Sequence, residues 1–409
     1  MKIKTYKQAL ERVFVIEETR DYSLTRVEQA IELLWNPLKN IKVIHIAGTN
    51  GKWSTSKMCF AVLKRAWCSV WAFTQPHLLD IKERFITEKW EITEDEFLEC
   101  LNRILELDLD FSFFEKAFLM SCLFFEMRKV DFAIMEVWFG GLLDSTNVVS
   151  PIITAITSIW IDHTKVLWNT IEEISLQKAG IIKSWIPIVY NYENSIIRKI
   201  AEEKNAPIIF TKNLVETNLI WEYQRRNAGI AFEICKYIKI NENTILEWLQ
   251  KVKHFGRLQY ITKNLVIDWA HNEQWLQELL KYLQSLEKNN IQLCFGQKKW
   301  KDWSKILKVF WEPSILSFWK ESPSEEWRRQ RLAFILVQNE NKLMVENADI
   351  LRKKILENIS VLTEGFNHLD INIHRPDEIF KLSQKNKNIL YVVFWSLYMI
   401  WEFLKFDRK

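Results

Sequence analysis

Short apolar runs recur along this chain, and most are joined by stretches patterned for a helix. VIHIA (43–47) leads through GTNGK into a helix from about Ser54 to Arg65, and DFAIMEV (131–137) follows an amphipathic stretch around 115–128. ITAITSI (153–159) precedes a turn at Asp162-His163 and a helix near 171–178, and IPIVY (186–190) and APIIF (206–210) continue the series. Helices are expected at about 222–236 and 243–252. Apolar runs of this length, bounded by turns, suit strands buried on both faces, and the helices between them supply the crossovers of a parallel sheet. The expected fold class is α/β. KHFGRL (253–258) marks a boundary, after which NLVIDWAHNEQWLQELLKYL (264–283) opens a fresh strand–loop–helix unit. IQLCF (291–295) and NILYVVF (388–394) supply further strands, so two α/β domains are expected, 1–257 and 258–409.

Charge gives no footing for a nucleic-acid or membrane-surface partner, because 56 Lys and Arg face 52 Asp and Glu for a formal net charge of +4. The cluster Arg328, Arg329 and Arg331 reads as a solvated face. The cysteines are far apart with no CxxC pair, which fits reduced thiols and not a zinc ribbon or disulfide framework. MKIKTYKQALERVF at the N-terminus is charged and helix-patterned, unlike a signal peptide. The apolar stretch 389–401 is shorter than the roughly 20 residues a spanning helix needs. A soluble cytoplasmic protein is the expectation. One count is out of line: 20 tryptophans stand beside 9 glycines. Ordinary usage of about 7% would give roughly 29 glycines in a chain this long.

Four places carry chemistry. GTNGK (48–52) follows a strand and opens a helix through Ser54, the arrangement in which backbone N–H groups cradle phosphate and Lys52 adds a point charge. The spacing departs from the general phosphate-loop formula by the residue between Lys52 and Ser54, and an ordinary strand–helix turn is the alternative. Glu136 ends an otherwise apolar strand, where a carboxylate points into the ligand crevice of an open α/β sheet and suits Mg²⁺. A paired edge carboxylate is its plain reading. His163, one strand over, could be a second metal ligand or a structural histidine. Lys178 in QKAGIIK could simply solvate a helix end. DWAHN (268–272) could serve a ribose, a phosphate or an incoming amine, or be a plain turn.

Together these stretches resemble the folylpolyglutamate synthase/dihydrofolate synthase branch of the Mur ligase superfamily, from about residue 20 to 402. The anchors, in order, are HIAGTNGKWS, TQPHL (74–78), FFE (113–115), EVWFGGLLDSTNVV (136–149), IDHTKVLWNTIEEISLQKAGIIK (161–183), EYQRRNA (222–228), FGRLQ (255–259), DWAHN and SLYMIWE (396–402). Residues 304–385 match poorly. The resemblance implies an N-terminal P-loop ATPase domain and a smaller, Rossmann-like C-terminal domain. It further implies an ATP- and Mg²⁺-dependent amide ligase, acting as a monomer. A carboxylate of a reduced folate or dihydropteroate attacks ATP to give an acyl phosphate, and L-glutamate, held between the domains, displaces phosphate. On this footing ATP contacts Gly48, Thr49, Asn50, Gly51, Lys52, Ser54, Gln224, Asn227, Arg257 and Asp268. Mg²⁺ is held by Ser54, Glu136 and His163, with Lys178 joining them if carbamylated. Lys52, Lys178 and His271 are the implied catalytic residues, His77 and Arg84 lie toward the folate, and Ser396 toward glutamate. Two departures bear on site geometry: Gln75 stands where the family commonly has serine, and Leu142 replaces an arginine. Other readings are a Mur-type ligase for a different acid and amino acid, a nucleotide-binding homologue without ligase chemistry, or a transport or regulatory ATPase. The presence of Glu136, Lys178, His271, DWAHN and SLY argues against the last two.

The resemblance also bears on the tryptophans. The family's loop reads GTNGKGS, so Trp53 stands at a glycine position. So do Trp35, Trp67, Trp71, Trp90, Trp138, Trp160, Trp168, Trp185, Trp221, Trp269, Trp275, Trp395 and Trp401, fourteen of the 20 in all. Glycine serves such sites through φ > 0 and close backbone approach, and tryptophan is penalised at both. A genetic code in which UGA specifies glycine, translated with tryptophan in its place, accounts for the pattern. A divergent homologue truly rich in tryptophan is the alternative. Trp248, Trp311, Trp319 and Trp327 match no glycine motif, and if only some tryptophans are genuine they are expected among these four.

Overall fold

The computed structural model describes residues 3–14, 23–77, 80–87, 92–160, 170–252, 256–270, 273–286, 291–295, 333–337, 371–394 and 403. The chain divides into two compact units, Met1–Lys253 and His254–Lys409.

The first unit runs α1 (Tyr6–Val13), α2 (Thr25–Leu33), β1 (Lys42–Ala47), α3 (Lys52–Arg65), β2 (Val70–Phe73), β3 (Phe85–Ile86), α4 (Glu94–Leu105), α5 (Phe113–Met127), β4 (Phe132–Glu136), β5 (Pro151–Ile156), α6 (Ile171–Ala179), β6 (Ile188–Tyr190), α7 (Ser195–Glu203), β7 (Ile208–Phe210), α8 (Glu222–Tyr237) and α9 (Glu242–Leu249). Its 7-stranded sheet has the order β3-β2-β4-β1-β5-β6-β7. Only β3 is antiparallel to its neighbour. The expected strands at 43–47, 131–137, 153–159, 186–190 and 206–210 are β1, β4, β5, β6 and β7.

Side chains alternate across this sheet as the two-residue strand period requires. Val43, Phe73, Ala133 and Met135 pack with α4 and α5 on one face. Ile44, Ala72 and Ile134 pack with α3, α8 and α9 on the other. Both faces are covered, which is why the strands read as continuous apolar runs and not as alternating ones. Helix α5 is buried almost all round, and Ser112 starts it with a capping box: Glu115 N–H donates to Ser112 Oγ (3.3 Å) and Ser112 N–H to Glu115 Oε2 (2.7 Å). Phe118 lies at its centre, fully buried. Truncating it to alanine would cost roughly 3–5 kcal/mol.

The second unit contains β8 (Gln259–Thr262), β9 (Leu265–Asp268), α10 (Glu273–Ser285), β10 (Ile291–Phe295), β11 (Ala333–Val337), β12 (Ile371–His374), α11 (Pro376–Lys385) and β13 (Leu390–Phe394). Its 6-stranded sheet has the order β12-β11-β10-β13-β9-β8, parallel except for β8. Among the described residues no helix is long and apolar enough to cross a membrane.

Candidate active site

The sheet of the first unit brings the carboxyl ends of β2, β4, β1 and β5 side by side, the edge where open α/β sheets bind ligands. The loop 48–51 leaves β1 there, and α3 starts directly after it at Lys52. Its conformation depends on two glycines. Gly48 has φ +144° and a Cβ on it would lie 2.0 Å from Thr157 Oγ1; Gly51 has φ +89° and a Cβ would lie 2.4 Å from Asn227 Oδ1. The residues that follow β5 hold the loop from the side. Thr49 N–H donates to Ser158 O (2.8 Å), Asn50 N–H to Ser158 Oγ (2.9 Å), and Thr157 Oγ1 to Asn50 O (2.6 Å). Thr49 Oγ1 accepts from Trp160 N–H at 3.0 Å. The Lys52 ammonium folds back over the turn, donating to Gly48 O at 2.8 Å and Thr49 O at 3.2 Å. A cation, a helix N-terminus and a clamped glycine turn thus meet at one spot, a combination suited to an anion.

Beside it, β1 and β4 pair in register, Ile46 opposite Glu136. Glu136 is buried and accepts the Gln75 backbone N–H at 3.3 Å, and Ser54 on α3 is buried as well. Gln75 is buried with both side-chain amide atoms lacking a hydrogen-bond partner. Lys57 is pushed down to about 8 by burial, while the Glu136 carboxylate acts the other way. Among the described residues no three His, Cys, Asp or Glu side chains cluster. A carboxylate, a hydroxyl and an amide oxygen are the ligand types Mg²⁺ takes alongside substrate phosphates.

The segment after Glu136 ties this strand to the helix bearing Lys178. Thr170 caps α6 through a box with Glu173. Gly141, at φ +157°, packs on the last turn of α6, where a Cβ would meet Gln177 O at 2.6 Å and Lys178 Cα at 3.2 Å. Leu142 N–H donates to Gln177 O (2.8 Å), and Asn147 Nδ2 to Leu142 O (2.9 Å) and Gly180 O (3.2 Å). Asp144 receives the N–H groups of Trp138 (3.0 Å) and Phe139 (2.8 Å) and the Thr146 hydroxyl (2.5 Å). Burial raises its carboxyl above the usual range against those donors. Thr146 Oγ1 also meets His45 Nε2 at 2.9 Å, and burial, with the Lys183 charge adding to it, lowers His45 to about 3. Lys178 itself is buried.

Arg84 and His77, singled out in the sequence, are joined directly: Arg84 Nε donates to His77 Nδ1 at 2.7 Å. The guanidinium is buried and lies over Phe113 (5.1 Å) and Trp138 (5.8 Å). Phe14 stacks on Phe113, and Phe114 meets Trp138 at 4.8 Å. Gln224 and Asn227 lie in the first turns of α8, with Asn227 Nδ2 donating to Gln224 Oε1 at 3.2 Å.

In the second unit Arg257 Nη1 donates to Trp269 O (2.8 Å), and Leu258 N–H donates to Asp268 Oδ2 (2.8 Å). Burial pushes Asp268 up to about 6, opposed by Arg257. His163, His271 and Ser396 lie outside the described residues. Sequence reasoning missed Thr157, Ser158, Lys57 and the ring of Phe14. For Thr157 and Ser158 a signal existed, hydroxyl residues ending the apolar run ITAITSI.

The Mur ligase middle domain family matches residues 46–247. Bacillus subtilis dihydrofolate synthase/folylpolyglutamate synthase is 32% identical over 334 residues, covering 70% of this chain and 77% of that protein. Saccharomyces cerevisiae dihydrofolate synthetase is 30% identical over 322 residues, covering 67% of this chain and 75% of that one. The crystal structure of a Yersinia pestis bifunctional folylpolyglutamate synthase/dihydrofolate synthase complexed with AMPPNP and Mn ion matches with TM-score 0.81 at 22% identity, covering 99% of this chain and 98% of that one. Escherichia coli FolC in complex with DHPP and ADP gives 0.81 at 21%, covering 100% of both. At such identities the structural likeness speaks for the fold.

Proposed function

The chain belongs to the folylpolyglutamate synthase/dihydrofolate synthase family, and on that premise we propose that it joins L-glutamate to the carboxylate of a tetrahydrofolate, a dihydropteroate or both, with ATP as the driving substrate. The observation that carries this is the clamped turn at Gly48–Lys52 beside the buried Glu136 carboxylate. A free carboxylate is a poor acyl donor. Transfer of the γ-phosphoryl group makes it an acyl phosphate, which the glutamate amine displaces with loss of phosphate.

In this reading Gly48, Thr49, Asn50, Gly51 and the start of α3 hold the phosphates. The Lys52 ammonium leaves the carbonyls of Gly48 and Thr49 for the incoming anion, trading a neutral acceptor for a charged one. Mg²⁺, when held by Glu136 and Ser54, supplies charge neutralisation between the γ-phosphate and the attacking carboxylate. The Arg84 guanidinium, already desolvated among aromatic rings, is suited to orient the acid substrate, with His77 fixing its plane. Gln224 and Asn227 brace the turn from α8 at the nucleotide. Arg257, Asp268 and His271 are assigned to the nucleotide, His163 to the metal and Ser396 to glutamate, by family resemblance. Lys178 becomes an anionic ligand if its amine is carbamylated. The enzyme is expected to act as a cytoplasmic monomer.

The test uses an acid substrate labelled with oxygen-18 in its carboxylate, incubated with ATP, Mg²⁺ and L-glutamate. Label is expected to appear in released phosphate, one atom per amide formed. Amide without label in phosphate would exclude the acyl-phosphate route. ADP release that ignores L-glutamate would favour a ligase for another amine.

A further inference from the structure

Four tryptophans occupy backbone conformations that suit glycine. Trp35, Trp67 and Trp185 have φ of 61°, 61° and 66°, and Trp221 has φ 116° with ψ 146°. A bulky side chain with positive φ is an outlier, because its Cβ crowds the following carbonyl. The region holding Trp221 borders one that is essentially glycine's own. The four lie far apart in the chain, so no single local distortion explains them.

Two of them occupy helix stops. After α2, Trp35 N–H donates to Glu32 O (2.9 Å) and Asn36 N–H to Ile31 O (2.8 Å). After α3, Trp67 N–H donates to Lys64 O (3.2 Å) and Cys68 N–H to Leu63 O (3.2 Å). This paired-bond ending needs a left-handed residue at its turn, most often glycine. Elsewhere the same conformation is taken by Asn36, Asp108, Lys129, Asn205, Lys239 and Leu258, all but one of them polar. Gly48, Gly51, Gly140, Gly141 and Gly256 also have positive φ, so the chain's own glycines do this work at other turns.

Burial gives three of the indoles little in return, although Arg65 lies over the Trp67 ring at 5.7 Å. Trp35 is 83% exposed, Trp67 87% and Trp185 73%, although tryptophan is ordinarily a highly buried side chain. Trp221 makes a stacking contact with Tyr223. Trp248 is the contrast: it lies within α9, helical and packed against the core.

We propose that residues 35, 67, 185 and 221 are glycine in the protein the cell makes. Their codon is UGA, decoded as glycine, and the tryptophans arise from reading that codon as tryptophan. The strain and the exposure then vanish together, and the shortfall of glycine narrows. The proposal stands apart from the ligase reading, since it rests on backbone conformation and exposure. It reaches the site through residue 53. Trp53 is the second residue of α3, and the same codon there leaves the first turn bare beside the phosphate cradle.

The test is the gene sequence at these codons, together with tandem mass spectrometry of the protein from its source cells, searched with both residues. UGA at 35, 53, 67, 185 and 221 with glycine in the peptides is expected, and UGG with tryptophan at 248. UGG at the four positions, or tryptophan in their peptides, overturns the proposal. An independent arm compares recombinant chain as written with Trp35→Gly/Trp67→Gly/Trp185→Gly/Trp221→Gly by thermal unfolding. A higher melting temperature for the glycine version supports the proposal, and an equal or lower one removes the strain argument.

Discussion

At the end of β1 the turn is held mainly by hydroxyl and backbone groups, whereas at the end of β9 a buried pair of charged side chains takes part. The Gly48–Lys52 turn is clamped by Thr157 and Ser158, just past the end of β5, with the Glu136 carboxylate on the neighbouring strand β4. The turn at Trp269 is tied to residues 256–258 by charged side chains and backbone: Asp268 receives Leu258 N–H, Arg257 binds Trp269 O, and Trp269 N–H donates to Gly256 O at 2.8 Å. The first arrangement fixes a backbone shape beside a buried carboxylate and a lysine folded over the turn. The second uses its charges to fasten residues 256–258 to the end of β9. Similar residue types at strand ends therefore do different jobs, and what separates them is where the hydrogen-bond partners come from.

The largest effect expected from this contrast is on turnover. Glu136→Gln should lower kcat about 10²–10³-fold, the range for removing one group that stabilises developing charge, while leaving the melting temperature unchanged or higher. Asp268→Asn should cost far less turnover and act mainly on ATP affinity. Steady-state kinetics of the two variants checks this, and the reverse ranking would break the comparison. Next comes Gly51→Ala. Its Cβ would meet Asn227 Oδ1 at 2.4 Å with φ at +89°, so ATP affinity should fall roughly ten- to hundredfold for a strain of about 1–3 kcal/mol. Calorimetric titration with a non-hydrolysable ATP analogue gives the number.

Acid should drive the two regions in opposite directions. His45 in the first unit is held neutral, its folded value lowered to about 3. The unfolded chain takes up that proton below about 6.5, so the stability His45 allows is full above that pH and is lost as pH falls. Between pH 7 and 5 the loss is about 2 kcal/mol. Asp268 in the second unit has its folded value raised to about 6. There the fold takes up the proton first, so stability rises by about 1 kcal/mol over the same interval. Hydrogen exchange of the whole chain at both pH values, corrected for intrinsic rates, should show amides around β1 opening more easily in acid and those around β9 less. Parallel changes in both units would remove the distinction. Smallest are the tryptophan turns. Each of Trp35→Gly, Trp67→Gly and Trp185→Gly should stabilise by roughly 0.5–1 kcal/mol, strain relief less the chain entropy glycine loses.

Much of this was legible in the residues. Unbroken apolar runs such as VIHIA and FAIME pointed to buried parallel strands, and GTNGK pointed to the turn between β1 and α3, because both depend on local pattern. Strand β2 escaped notice, since VWAF is four residues long and its middle carries an indole. The Gly51–Asn227 contact, the Arg84–His77 pair among Phe14, Phe113 and Trp138, and the Asp144–Thr146–His45 chain were not legible. Each joins segments that only the closed sheet brings together, and no spacing rule encodes them. Lys178 was marked by its motif, yet its place beside the Gly141 turn follows from α6 packing, which a sequence does not print.

The measurement that bears most directly on the account is ADP release by the chain carrying glycine at the fourteen motif positions, assayed with Mg²⁺ and ATP. Reduced folate or dihydropteroate and L-glutamate are supplied singly and together. Release is predicted only when an acid and L-glutamate are both present, in equal amount to the amide formed, and to be abolished by Lys52→Ala. Release in that variant at an undiminished rate, or release indifferent to the acid, would contradict the assignment of the β1 turn as the place where the acid is activated.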